Sequence, residues 1–248
     1  DAYTSGRIPL WTSTLSNGFP IFAEGQSGPL YPVHVLLAFL PPVIALNYSI
    51  LISFSIAGIG AFLYAKTLPR MTVFGALSVA VVFMFCSFFV ARLKHLNMIV
   101  VAAYLPISLY CIKRALNDTR VNFSWFVVLG VVWAIQLLAG HPHMFFLCAL
   151  MCAWYAYGEV FRIYFKNQKK SDILVSVGLA TMCGLLISGF IGLGMAAVQL
   201  LPTYELTNLS NRPNYTYQVA TDYPLKPNFL VSLFAPFFLG NPATGAYP

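Results

Sequence analysis

Six stretches of this chain are continuously apolar over roughly the 20 residues that a helix needs to cross a hydrocarbon core. They run from about Val43 to Ala65, Met71 to Val90, Met98 to Ile112, Phe123 to Ala139, Met144 to Phe165 and Ile173 to Leu201. A closed barrel would instead need short strands of alternating polarity. Of the 248 residues 59% are hydrophobic and only 8% are charged, and the mean hydropathy is +0.75, which excludes a water-soluble domain. The fold class that follows is all-α, a polytopic transmembrane helical bundle of about six spans with an ordered outer loop region.

Within that bundle the sequence sets several local expectations. Pro106 should kink the third span, which is short and should begin inside the preceding polar cluster. The sixth is long enough to be tilted or broken at its glycines. Val33 to Leu40 is too short to cross and is stopped by Pro41 and Pro42, so it should lie at the interface or re-enter. Gly184, Ser188 and Gly192 repeat at helical spacing and should let a neighbouring helix approach closely.

The chain divides into a first extracytoplasmic loop, residues 1–32, the bundle, 33–201, and a second extracytoplasmic segment, 202–248, whose apolar patch Phe229 to Leu239 is too short to cross. Starting at Asp1 without Met and stopping within a turn-rich segment, it reads as an excerpt of a longer protein. The opening loop combines Pro9, Pro20, Pro29 and Pro32 with Gly6, Gly18, Gly25 and Gly28, residues that fix or reverse the backbone. Its aromatics and low charge argue for an ordered loop.

Sidedness comes from the basic residues. Lys66, Arg70, Lys113, Arg114, Arg120, Arg162, Lys166, Lys169 and Lys170 occupy short connections on one side; Arg7, Arg92, Lys94, Arg212 and Lys226 fall on the other. The richer set should be cytoplasmic. The opening loop, the Arg92 turn, the His141 turn and the segment after Pro202 then converge on the outer face, with both ends of the chain. The net charge of +7 is accounted for by these loops and calls for no nucleic-acid partner. Cys86, Cys111, Cys148, Cys152 and Cys183 all lie in apolar runs and read as free packing thiols.

The outer face supplies the candidate site residues. Glu24 is a lone loop carboxylate able to act as a base if a low-dielectric surface raises its pKa; a solvated loop glutamate is the plainer reading. Arg92, Lys94 and His95 could hold a lipid phosphate or simply snorkel. His141 and His143 could form a polar site wall, end a helix or begin a metal site, though no third ligand is nearby in sequence. Gln199 is a membrane-embedded amide that needs partners. Arg212 could make bidentate phosphate contacts or pair with Glu205.

The segments GRIPLW, NGFPIFAEGQSGPLYP, ARLKHLN, LAGHPH, GLGMAAVQLLPTYEL with SNR, and LFAPFFLGNP, in this order, resemble the YfhO-like bacterial membrane proteins of the GT-C type glycosyltransferase superfamily. The resemblance implies a larger enzyme of the bacterial cytoplasmic membrane with a dozen or so spans. Such an enzyme moves a sugar from a polyprenyl-phosphate donor to an envelope polymer or lipid acceptor on the outer face, teichoic acid being the acceptor class suggested. It also implies an acidic base in the first outer loop, where Glu24 stands, with Arg92, Lys94, His95, His141 and Arg212 near the donor phosphate. The family pattern carries an Asp further upstream and more often a Gln where His143 stands. A multispan transporter or lipid flippase is the alternative. No metal ligand set is expected, and cofactor, sugar, acceptor and oligomeric state are not readable from the sequence.

Overall fold

The computed structural model describes residues 2–15, 17–117, 120–167, 171–210, 217, 221, 227–235 and 238–240. After a 3-10 turn at Tyr3–Ser5, the helices are α1 (Ile21–Glu24), α2 (Pro32–Leu37), α3 (Pro42–Ala65), α4 (Val73–Met84), α5 (Ser87–Ala91), α6 (Leu96–Ala103), α7 (Leu105–Ala115), α8 (Phe123–Leu138), α9 (Pro142–Lys166) and α10 (Ser171–Leu209). Two residue pairs between α7 and α8 form an antiparallel ladder, β1 (Leu116–Asn117) with β2 (Arg120–Val121). The all-α bundle expected from the apolar runs is what the chain forms.

Among the described residues, five helical segments are long and apolar enough to cross a membrane: Pro42–Ala65, Val73–Ala91, Leu96–Ala115, Pro142–Lys166 and Ser171–Leu209. The fourth apolar run forms α8, which at 16 residues is shorter. One face of it is covered, while Val127, Val128 and Val131 on the other are exposed. Phe126 and Leu129 are fully buried, and Trp133 and Leu137 nearly so, because α7, α9 and α10 pack against that face. The outward faces of the longer helices carry exposed Phe74, Trp154, Leu186 and Phe190, as surfaces in contact with lipid should.

Two spans are broken, and in one of them the break lies beside the proline that the sequence marked. The helical path stops between α4 and α5, where Cys86 is extended. It stops again between α6 and α7 at Tyr104, two residues before Pro106, which sits in the first turn of α7. Proline is tolerated there because first-turn amides have no intrahelical acceptor. The end of the last span differs from the sequence reading: α10 continues through Pro202 to Leu209, so helix occupies the start of the segment expected to be loop. Proline inside an apolar helix costs an amide bond, but neighbouring polar groups can satisfy the freed carbonyl.

The small residues of α10 do the packing expected of them. A Cβ on Gly184 would stand 2.3 Å from the Phe126 ring, and one on Gly192 would stand 3.1 Å from Trp133 Cβ. Ser188 Oγ donates to Phe126 O at 2.7 Å. α10 therefore lies against α8 through a face that only small residues can provide.

By contacts the chain forms two compact units, Asp1–Leu206 and Thr207–Pro248. The first holds the bundle. In the second, the described residues include a 3-10 turn at Pro227–Leu233.

Candidate functional site

The opening loop is locked into one end of the bundle. Its last aromatic, Tyr31, is completely buried and shares a hydroxyl hydrogen bond of 3.0 Å with Tyr104 at the α6–α7 break. Burial and the Tyr104 hydroxyl raise the Tyr31 pKa, so the pair stays neutral. Tyr3 Oη donates to Pro29 O, which ties the start of the loop to its end. Trp11 covers Gly18, where a Cβ would stand 2.5 Å from the indole.

Glycines bring the loop onto the turn between α8 and α9. Gly140 has φ +90°, and a Cβ there would lie 2.4 Å from Gly25 O and 2.9 Å from Gln26 O. Gly28 approaches Ala139 O in the same way, with 3.2 Å for a Cβ. The third contact is with α10: Gln199, 2% exposed, donates from Nε2 to Phe22 O at 2.5 Å and to Thr203 Oγ1 at 3.4 Å. The embedded amide thus finds its partner in the opening loop. Its Oε1 is buried without a hydrogen-bond partner among the described residues, an acceptor whose burial costs about 1–3 kcal/mol unless a water or hydroxyl reaches it.

Glu24 ends α1 at this junction, part-exposed, and one of its carboxylate oxygens accepts the Gln26 amide at 2.9 Å. His141 caps α9. Its Nδ1 accepts the Met144 N–H at 3.1 Å, which assigns the ring proton to Nε2 and leaves that nitrogen as a donor. Desolvation lowers the His141 pKa, helped by the charges of His143 and His95. Neutral imidazole is therefore the favoured form, as the cap requires. His143 is exposed, its ring centroid 6.4 Å from that of His141. His95 leads into α6, and Arg92, Lys94 and His95 are all exposed on the α5–α6 turn. Arg212 lies outside the described residues.

A cavity of about 360 Å³ opens between α2 and α3 at the same end. Its wall is apolar, Leu37, Leu40, Leu46 and Leu96 among its residues, apart from His34 and the buried hydroxyl of Ser49. His34 Nδ1 donates to Gly28 O at 3.1 Å, and burial lowers its pKa. The cavity reaches Leu96, the residue next to His95.

Two features of the chain were not picked out from the sequence. His34 was passed over because a single histidine in a short apolar stretch carries no pattern. Glu159 on α9 had a usable signal, a carboxylate inside an apolar helix with Arg162 three residues on. Lys113 Nζ donates to its two oxygens at 2.8 and 2.7 Å, Arg162 Nε at 2.6 Å and Tyr155 Oη at 3.2 Å. Among the described residues no three His, Cys, Asp or Glu side chains gather as a metal site.

Fold and composition together define an α-helical membrane protein. The chain matches no protein-family model, no curated protein and no solved structure.

Proposed function

We propose that the protein is a membrane glycosyltransferase of GT-C type that transfers a sugar from a polyprenyl-phosphate donor to an envelope acceptor at the outer face of the bacterial cytoplasmic membrane. The observation that carries the reading is the docking of the Glu24 loop onto both the His141 turn and Gln199. Segments separated by more than a hundred residues thus meet at one end of an apolar bundle. The resemblance of the loop motifs to YfhO-like proteins supplies the reaction class.

In this mechanism Glu24 takes the proton of the acceptor hydroxyl, whose oxygen bonds to the anomeric carbon of the sugar. The bond from that carbon to the phosphate oxygen breaks, and its electron pair leaves with the lipid phosphate. Arg92, Lys94 and the His141 Nε2–H provide charge and donors for that leaving group. The apolar cavity beside Leu96 suits isoprenoid units of the donor, whose phosphate would then lie near His95.

Incubation of the purified protein with a radiolabelled polyprenyl-phosphate sugar and envelope acceptor tests the reading. Transfer should be measurable and should fall at least about a hundredfold in Glu24→Gln, the scale of a lost general base. Transport of the labelled lipid without cleavage of its sugar would overturn it in favour of a flippase.

A further inference from the structure

A second cavity lies at the opposite end of the bundle from Glu24. The helix α3 has the loop-side cavity at its start and Lys66 just past its end, about 36 Å away for a helix of this length. There a space of about 800 Å³ opens between the ends of α3, α7 and α9, the start of α8 and the β1–β2 ladder. Its volume is that of a small-molecule pocket.

Among the described residues, the five charged side chains lining it are all cations: Lys66, Lys113, Arg114, Arg120 and Arg162. The nearby carboxylate, Glu159, is saturated by Lys113 and Arg162. It holds those two cations at the wall, and the described side chains here sum to four net positive charges. Among the described residues no carboxylate pairs with Lys66, Arg114 or Arg120. Arg114 is oriented instead by aromatic rings, its guanidinium carbon 5.3 Å from the Trp125 centroid and 6.0 Å from that of Tyr110. The N-terminus of α8, a helix of 16 residues, adds its positive dipole end at Asn122 and Phe123.

Basic residues on short loops satisfy the orientation of a membrane protein wherever they point. They do not need to surround one concave space, and they do not need a buried counter-ion and two aromatic rings to hold them. We propose that this cavity is a binding site for a phosphate ester, either the headgroup of an anionic bilayer lipid or a soluble phosphorylated compound entering from the aqueous side. Guanidinium groups bind such oxygens in bidentate fashion, and basic pockets between helix ends suit anionic headgroups. The site is independent of the glycosyl-transfer reading and lies at the other end of the bundle.

The variants Lys66→Gln and Arg120→Gln remove exposed cations that hold nothing else in place, and Arg114→Gln removes the stacked one. Native mass spectrometry of the detergent-solubilised protein, given phosphatidylglycerol and phosphatidylcholine at equal concentration, reads the lipid source. Calorimetric titration with glycerol 3-phosphate reads the soluble one. Selective retention of phosphatidylglycerol, or saturable binding of glycerol 3-phosphate, is the expected result, weakened about tenfold by each single substitution. The first outcome assigns the site to a lipid and the second to a soluble ester. Binding of neither probe, or binding that the double variant Arg114→Gln/Arg120→Gln leaves unchanged while its thermal unfolding matches the parent, overturns the proposal.

Discussion

Glu159→Ala is expected to destabilise the bundle by about 3–5 kcal/mol, the cost of leaving one member of a buried ion pair alone. The Lys113 side chain is 13% exposed and that of Glu159 only 9%. Removing the carboxylate therefore strands an ammonium that bulk water barely reaches. Arg162, at 47% exposure, can turn to solvent, and its share is small. The double variant Glu159→Ala/Lys113→Met should recover most of the loss, since no uncompensated charge then remains. Unfolding in mixed detergent micelles measures both. A single variant within about 0.5 kcal/mol of the parent, the range of ordinary surface substitutions, would show that the pair does not hold α7 to α9.

Gly140→Ala is expected to expel the opening loop from its seat. A φ of +90° is strained for any L side chain, and the new Cβ would stand 2.4 Å from Gly25 O. Both obstacles are backbone, so no rotamer change relieves them. The conformational term alone is worth about 1–3 kcal/mol, and the contact can relax only by moving Gly25 and Gln26 away from the α8–α9 turn. Hydrogen exchange at the loop amides should rise sharply, and the proposed sugar transfer should fall with it. Gly158→Ala and Gly194→Ala are suitable controls, because a Cβ at either meets nothing within 4 Å. Each should be neutral or stabilising by about 0.5–1 kcal/mol, the helix preference for Ala over Gly. Slow exchange at Gly25 and Gln26 in Gly140→Ala would refute the docking contact.

The helices were legible because hydrocarbon allows few solutions. Each apolar run became helical, two of them as a pair of helices, and the chain breaks beside Pro41 and Pro106 as proline predicts, whereas the break at Cys86 carries no such signal. The end of α10 was not legible: proline usually stops a helix in water, whereas α10 passes through Pro202 to Leu209.

The site was legible as a set of segments more than as contacts. Counting spans placed the opening loop, the His141 turn and Gln199 at one end of the bundle, and those three do meet. The contacts that join them use glycine and backbone oxygen, Gly140 with Gly25 and Gln199 with Phe22 O, and such pairings carry no residue code. His141 looked like a histidine pair at a helix end, and its cap on Met144 N–H is the role the fold gives it. Glu159 could have been found by asking what partner any carboxylate in an apolar helix must have.

Accessibility labelling of single cysteines tests the central claim most directly. In a background with the exposed Cys183 and the four other cysteines replaced, Gln26→Cys, His143→Cys, Lys66→Cys and Arg120→Cys place thiols on exposed residues at the two ends of the bundle. A membrane-impermeant maleimide added to intact cells should modify the first two, and the last two only after permeabilisation. Modification of Gln26→Cys and His143→Cys from opposite faces of the membrane would contradict a shared outer site.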